Sequence, residues 1–138
     1  MEYFTLNELV KSNTAIVNHI DNTPDKEIEN HLKELIKFLN PLRESWGSPI
    51  IITSGYRCKM LNEKIDGSKT SAHLTGYACD MIPKNGKFNE FVEFLKDYLK
   101  DKDFDQCIIE KSSKSKWIHL GLKNLKGLQR KQIFNLYV

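Results

Sequence analysis

Two carboxylates and a histidine fall at strand positions where they could meet. Asp80, Glu110 and His119 each lie in a short segment whose β-branched or alternating pattern predicts a strand. Side chains alternate between the two faces of a strand, so the three can project from one side of a sheet if their strands are neighbours. A carboxylate among apolar residues is costly to bury unless it is paired or binds a cation. The pattern therefore indicates a polar or metal-binding centre.

His73 can join this group from a loop. It precedes Asp80 by seven residues, and Gly76 between them permits a turn that folds the loop back over the strand. Two neutral imidazoles and one carboxylate form a ligand set for Zn²⁺ that leaves the fourth tetrahedral position to a water. A carboxylate that is not a ligand could then take the proton of that water, and Glu110 is the candidate. From residue types and strand faces alone, the alternative stays open that these residues have this spacing by chance.

The other faces of the same strands are apolar. Ile118 and Leu120 alternate with His119, and Cys79 and Met81 alternate with Asp80, so we expect these four to face the core. Alternation directs Cys79 away from Asp80, and we interpret it as a buried thiol rather than a metal ligand. The three cysteines of the chain are an odd number at wide spacing, which fits neither a disulfide framework nor a four-cysteine zinc site.

Helices that would support this sheet are predicted in three places. Thr5 and Glu8 have the spacing of a capping box at the start of a helix over about 5–11. Thr23 and Pro24 resemble a cap followed by a first-turn proline, and the apolar period after them predicts a helix over about 24–40. A second apolar stripe predicts a helix over about 87–100.

The predicted strands lie in the remaining two thirds of the chain, at 50–53, 78–82, 106–110 and 116–120, with a further one in the tail at 132–138. The polar connection 111–115 is short enough for a hairpin loop, which makes its two flanking strands antiparallel neighbours. Helices segregated from a mainly antiparallel sheet define the class as α+β.

Length and composition narrow the functional classes. The chain has 138 residues, 40% of them hydrophobic, which predicts one globular domain over 1–138. The net charge is +3, and the lysines are scattered rather than grouped with aromatic residues, so no nucleic-acid surface is expected. No apolar run is long enough to span a membrane, and the N-terminus lacks the pattern of a secretory signal. We therefore expect a monomer that is cytoplasmic as synthesised.

Several short motifs occur in order along the chain: Thr53-Ser54-Gly55-Tyr56-Arg57, Leu61-Asn62, the segment from Ser71 to Asp80, Phe104-Asp105-Gln106, and Trp117-Ile118-His119. In this order they resemble the M15 family of zinc peptidases. Within that family, the chain resembles most the compact branch of D-alanyl-D-alanine carboxypeptidases and phage-type peptidoglycan endopeptidases. The resemblance covers nearly the whole chain.

The resemblance implies a small α+β domain that uses Zn²⁺ to hydrolyse peptides of peptidoglycan. Such an enzyme is either released to the cell wall by a lysis system or trims wall precursors in the cytoplasm. It makes His73, Asp80 and His119 the zinc ligands and Glu110 the general base. Several members of the family carry their acid three residues before the last histidine, where this chain has Lys116. Glu110 must therefore reach the site from the preceding strand.

Three further residues are candidates for contact with substrate, two of them by the resemblance. Arg57 and Ser71 match positions beside the metal that hold the substrate backbone or polarise the carbonyl of the cleaved bond, and a guanidinium suits a developing oxyanion because it stays charged and offers fixed donors. Trp117 is placed in the substrate groove, with packing in the core as the alternative.

Two other classes of metalloenzyme use similar ligands but require motifs of their own. A non-haem iron oxygenase would need a His-x-Asp/Glu pair, and a thermolysin-like protease would need His-Glu-x-x-His; the sequence contains neither. His19 and His31 have no acidic or cysteine partners in register and are left out of the site. A binding module of the same fold, with a structural metal or none, stays open, although it would need neither Glu110 nor Arg57.

Overall fold

The described part of the chain, residues 2–138 of a computed structural model, forms five α-helices and one five-stranded sheet. The helices are α1 (Leu6–Val10), α2 (Asn13–Val17), α3 (Lys26–Trp46), α4 (Lys59–Lys64) and α5 (Phe88–Tyr98). The strands are β1 (Ile50–Ser54), β2 (Ala78–Pro83), β3 (Gln106–Lys111), β4 (Lys116–Gly121) and β5 (Gln132–Tyr137). Short 3-10 helices lie at Ala72–Thr75 and Leu99–Asp101. The predicted α+β class is confirmed.

The sheet has the strand order β1-β2-β4-β3-β5, so β4 lies between β2 and β3. All pairs are antiparallel except β3 and β5, which run parallel. The predicted hairpin joins β3 to β4, and its loop is closed by the amide of Ser112, which donates to the carbonyl of Ser115 at 2.8 Å. The predicted tail strand is present as an edge strand.

The longest helix differs from its prediction at both ends. It begins at Lys26 because Asp25, rather than Thr23, is the N-cap and accepts a hydrogen bond from the amide of Ile28 at 2.9 Å. It continues through Pro41 to Trp46, whereas the prediction ended at residue 40. Pro41 is solvent-exposed, and the helix beyond it still buries Leu42, so packing outweighs the one hydrogen bond that proline removes.

The remaining helices are shorter. The capping box of Thr5 and Glu8 is present at α1, and α5 with its 3-10 extension covers the predicted second stripe. Helices α2 and α4 were not predicted, because one or two turns carry too little periodicity to detect. No helix within residues 2–138 has the length and hydrophobicity that crossing a bilayer requires.

One face of the sheet forms the core with the helices. Buried side chains from β2, β3 and β4 join those of α3 and α5 in a single hydrophobic cluster; they include Cys79, Met81, Cys107, Ile109, Ile118, Leu120, Leu35, Leu39, Phe91 and Leu95. All three cysteines are free thiols. Burial raises the pKa of Cys107 to about 12 and that of Cys79 well above its usual value, so both stay protonated within the core. The opposite face of the sheet carries the polar residues.

Candidate active site

Strand register places Asp80 and His119 side by side. They are direct partners across β2 and β4, and His119 is in turn the partner of Ile108 on β3. The three side chains form one row on the face opposite the core. The order β2-β4-β3 thus meets the condition under which Asp80, His119 and Glu110 can share one face of the sheet.

His73 reaches the same row from the 3-10 helix Ala72–Thr75. Ser71 caps this helix by accepting from the amide of His73 at 3.2 Å, and Gly76 ends it with a positive φ of 83°. A Cβ at Gly76 would lie 3.1 Å from the backbone oxygen and a side-chain carbon of Ile28, so both backbone conformation and packing require glycine. His73 itself is 2% exposed. The turn therefore holds the imidazole rigidly over β2.

A backbone carbonyl fixes the tautomer of His73. Its Nδ1 lies 2.7 Å from the carbonyl oxygen of Gly55, which can only accept, so Nδ1 carries the proton. Nε2 then faces Asp80, whose Oδ1 is 3.2 Å away; without a metal it donates to that oxygen, and once deprotonated it can bind a metal ion. A carbonyl partner of this kind is the usual way in which a protein orients a metal-binding histidine.

The three donor atoms fit a zinc ion. Oδ1 of Asp80 lies 3.2 Å from Nε2 of His73 and 3.1 Å from Nδ1 of His119, and all three donors lie within 4.8 Å of one another. Donors bound tetrahedrally at about 2.0–2.1 Å are about 3.3 Å apart, so little movement would be needed to accommodate the ion. Two nitrogens and one carboxylate oxygen also match the donor chemistry that Zn²⁺ prefers.

The charge of Asp80 depends on these neighbours. Burial alone would raise the pKa of this carboxyl, but the charge of His73 and hydrogen bonds from His119 and His73 outweigh it and hold the pKa well below its usual range. Asp80 is therefore ionised, as a metal ligand must be.

Glu110 lies on the same face, two residues along β3 from Ile108. Its cross-strand partner is Trp117, whose indole Nε1 donates to Oε2 of Glu110 at 2.7 Å. Trp117 is partly buried on the groove wall rather than in the core cluster. The indole thus fixes the carboxylate of Glu110 on the site side of the sheet, and this contact was not predicted.

Arg57 closes the site from the segment that follows β1. Its Nη2 donates to Oγ of Ser71 at 3.3 Å, and its amide donates to the carbonyl of His73 at 3.1 Å. Its Nε is buried and has no hydrogen-bond partner within the described residues. Burial lowers the pKa of Arg57, against the opposing charges of Asp80 and Glu110. The residue lines the groove, so its guanidinium places a positive charge at the wall of the site.

Two residues outside the groove position its walls. Asn22 donates to the carbonyls of Val10 and Tyr56 at 2.9 Å and accepts from the amide of Cys58 at 2.8 Å, which holds the backbone on both sides of Arg57. His31 binds the carbonyl of Thr75 at 2.7 Å and thereby ties α3 to the turn of His73. His31 thus has a supporting role, consistent with its exclusion from the site.

All seven residues predicted for the site line one groove of about 570 Å³: Arg57, Ser71, His73, Asp80, Glu110, Trp117 and His119. The groove also contains Asp105 and Arg130, which lie at its far end. Neither was among the predicted site residues, and Arg130 was missed because an isolated arginine in a polar connection carries no pattern.

Comparison with known proteins identifies the family. The profile described as Peptidase M15 matches residues 2–121, and no curated protein gives a significant match. The match includes β1 to β4 and every predicted site residue, whereas β5 and the connection before it lie beyond its end. A match over this much of the chain establishes that the protein belongs to the M15 family of peptidases.

Proposed function

We propose that this protein is a zinc-dependent hydrolase that cleaves an amide bond in the stem or cross-link peptides of peptidoglycan, as a D,D-carboxypeptidase or an endolysin-type endopeptidase. The observation that carries the proposal is the ionised Asp80 carboxylate, held between two imidazole nitrogens at 3.1 and 3.2 Å in an open groove. His73, Asp80 and His119 would hold the ion. Bound Zn²⁺ supplies a Lewis acid that makes a water acidic enough to deprotonate near neutral pH.

Glu110 is the residue that moves the proton. Its carboxylate accepts one hydrogen bond from Trp117, and the other oxygen has no side-chain partner within residues 2–138. It can therefore take the proton of the attacking water and deliver it to the leaving amine. Its place on β3 supports this role although Lys116 replaces the acid of other family members, because β3 and β4 lie side by side and Glu110 lines the same groove as the three proposed ligands.

Arg57 and Ser71 orient the substrate. Arg57 is partly buried and lines the groove, where a charged donor stabilises a developing oxyanion more strongly than it would in water. Ser71 holds Nη2 of the same guanidinium and so fixes its plane. We expect the enzyme to act as a monomer.

The test is mass spectrometry of peptidoglycan fragments after incubation with the protein, once with added zinc and once with a chelator. We expect new fragments that disappear with the chelator, and their masses would identify the bond and separate carboxypeptidase from endopeptidase action. Glu110→Gln is the matched control, since it should keep a full equivalent of zinc while cleavage falls about 10²–10⁴-fold. Absence of cleavage by zinc-loaded protein would instead support the binding module.

A further inference from the structure

An ion pair stands at the end of the groove away from Glu110. Asp105 is 2% exposed and accepts three hydrogen bonds from Arg130: from Nε at 2.7 Å, from Nη2 at 2.8 Å and from the backbone amide at 3.1 Å. Both residues line the same groove as the zinc-binding triad. The pair is therefore a built feature of the site rather than a surface contact.

Arg130 keeps donors for a second partner. Its side chain is 40% exposed, and its Nη1 makes no hydrogen bond to any residue between 2 and 138. Asp105 holds the other edge of the guanidinium and so fixes the direction of the remaining N–H groups. Binding of a second partner would then cost little further side-chain entropy. A planar guanidinium with a free edge is suited to a carboxylate.

The strand register gives the position of this edge relative to the triad. The row of His119 and Ile108 lies two residues from the row of Glu110 and Trp117 in one direction, and two residues from the row of Gln106 and Gly121 in the other. Each interval is about 7 Å along the strands. Asp105 directly precedes Gln106, and its amide donates to the carbonyl of Gly121 at 2.9 Å. Glu110 and Arg130 therefore flank the triad on opposite sides.

The direction of the substrate follows from the role of Glu110. A base that delivers its proton to the leaving amine must face that amine, so the leaving half of the substrate lies toward Glu110. The acyl half then extends toward Asp105 and Arg130. At about 3.4 Å per residue of extended peptide, Arg130 lies about two residues from the cleaved bond.

We propose that Arg130, held by Asp105, binds a carboxylate on the acyl half of the substrate, about two residues from the cleaved bond. This inference rests on the proposed function and adds a specificity determinant to it. The hydrogen bonds between Arg130 and Asp105 also help to hold the connection before β5. In the same connection, the amides of Lys131 and Gln132 donate to the carbonyls of Phe104 and Asp105. A test must therefore separate recognition of a carboxylate from support of the fold.

The experiment uses two synthetic stem peptides that differ only in a carboxylate or a carboxamide two residues before the cleaved bond. Calorimetry with chelator-treated protein measures binding, and steady-state kinetics with zinc measures KM and kcat. We expect the wild type to bind the carboxylate peptide about five- to tenfold more tightly, a modest preference because Asp105 already neutralises much of the guanidinium charge. The difference should appear in KM, with kcat equal for both peptides.

Arg130→Gln should lose this preference, with its affinity for the carboxamide peptide unchanged. Lys131→Gln is the matched control, because it removes the same charge from the adjacent residue, which does not line the groove. It should keep the preference.

Equal binding of the two peptides by the wild type would overturn the inference, and this comparison requires no variant to fold. An Arg130→Gln protein weakened equally toward both peptides would also overturn it, by showing a purely structural role. If neither peptide is cleaved with zinc present, the proposed function fails for these substrates, while the binding preference of the chelated protein still decides whether the carboxylate site exists.

Discussion

The two faces of β2 and β4 are built from alternate residues of the same strands, yet they follow different rules. On the core face, Cys79 and Leu120 are fully buried and have no charged partner. On the groove face, the side chains of Asp80 and His119 keep 14% and 13% of their surface exposed, and each satisfies the other at 3.1 Å. The two faces thus differ in access to solvent and in the pairing of their polar atoms.

This difference separates the residues that stabilise the fold from those proposed to bind metal and act in catalysis. A core residue contributes through apolar area and shape, so its loss should lower stability and leave the metal site intact. A groove residue contributes through directed donors and acceptors, so its loss should remove one chemical step at small structural cost. Substitutions on adjacent positions of one strand can test this separation.

The largest effect is expected for His119→Ala. Removal of one of three donors should abolish stoichiometric zinc binding and all activity, as measured by metal analysis of purified protein and by the fragment assay. Cys79→Ser, next to the ligand Asp80 but on the core face, should keep its zinc. A full equivalent of zinc in His119→Ala would show that the ligand assignment is wrong, and zinc loss in Cys79→Ser would show that the faces are not independent.

Leu120→Ala makes the converse change on the residue that follows His119. Truncation of this fully buried side chain should lower the free energy of unfolding by about 3 kcal/mol, measured by urea denaturation. Zinc content of the folded protein should not change. Loss of zinc under conditions where the variant is folded would contradict the separation of the two faces.

Asp105→Asn tests the ion pair at the end of the groove. Burial would raise the pKa of Asp105, but hydrogen bonds and charge from Arg130 outweigh it and hold the pKa below its usual value. A carboxyl whose pKa is lower in the folded state stabilises the protein above its unfolded pKa and loses that contribution as the pH falls through the folded value.

The variant should therefore be less stable than the wild type by about 2 kcal/mol near neutral pH, because Arg130 loses its charged partner. The difference should shrink as the pH falls below about 4. Urea denaturation at both pH values measures it. A difference that is constant with pH would show that the charge of Asp105 contributes nothing.

The smallest effect is expected for Trp117→Phe, which keeps an aromatic ring but removes the donor to Glu110. We expect kcat to fall about tenfold with zinc content and KM unchanged, since only the orientation of the base is affected. The other tryptophan supplies the control, because Nε1 of Trp46 is buried without a partner in the described residues. Trp46→Phe should leave kcat unchanged, and an equal fall in both variants would point to general loosening of the fold.

Much of the fold and the site could be predicted because a strand has a period of two. Once β2, β3 and β4 are recognised, alternation assigns Asp80, Glu110 and His119 to one face without knowledge of their distances. The ends of α3 were less predictable, since Thr23 and Asp25 are both capable caps and Pro41 usually ends a helix. In each case tertiary packing decided between alternatives that are locally similar.

Other features have no signal in the sequence. The parallel pairing of β5 with β3 depends on where a polar connection of ten residues leads the chain, which no local pattern encodes. The contact between Trp117 and Glu110 needs the register of the hairpin, and that register becomes known only when the loop is seen. Arg130 was missed because its pairing with the buried Asp105 depends on the path of the same connection.

The hydrogen bond between His73 and the carbonyl of Gly55 has a consequence for the order in which the protein assembles. It joins positions 18 residues apart, whereas the contact of Asp80 with His119 joins positions 39 residues apart. During folding, the turn of His73 can therefore form early, and the third donor arrives only when β4 docks against β2. Full zinc affinity should appear late, so the rate at which the refolding chain takes up the metal would report the docking of β4.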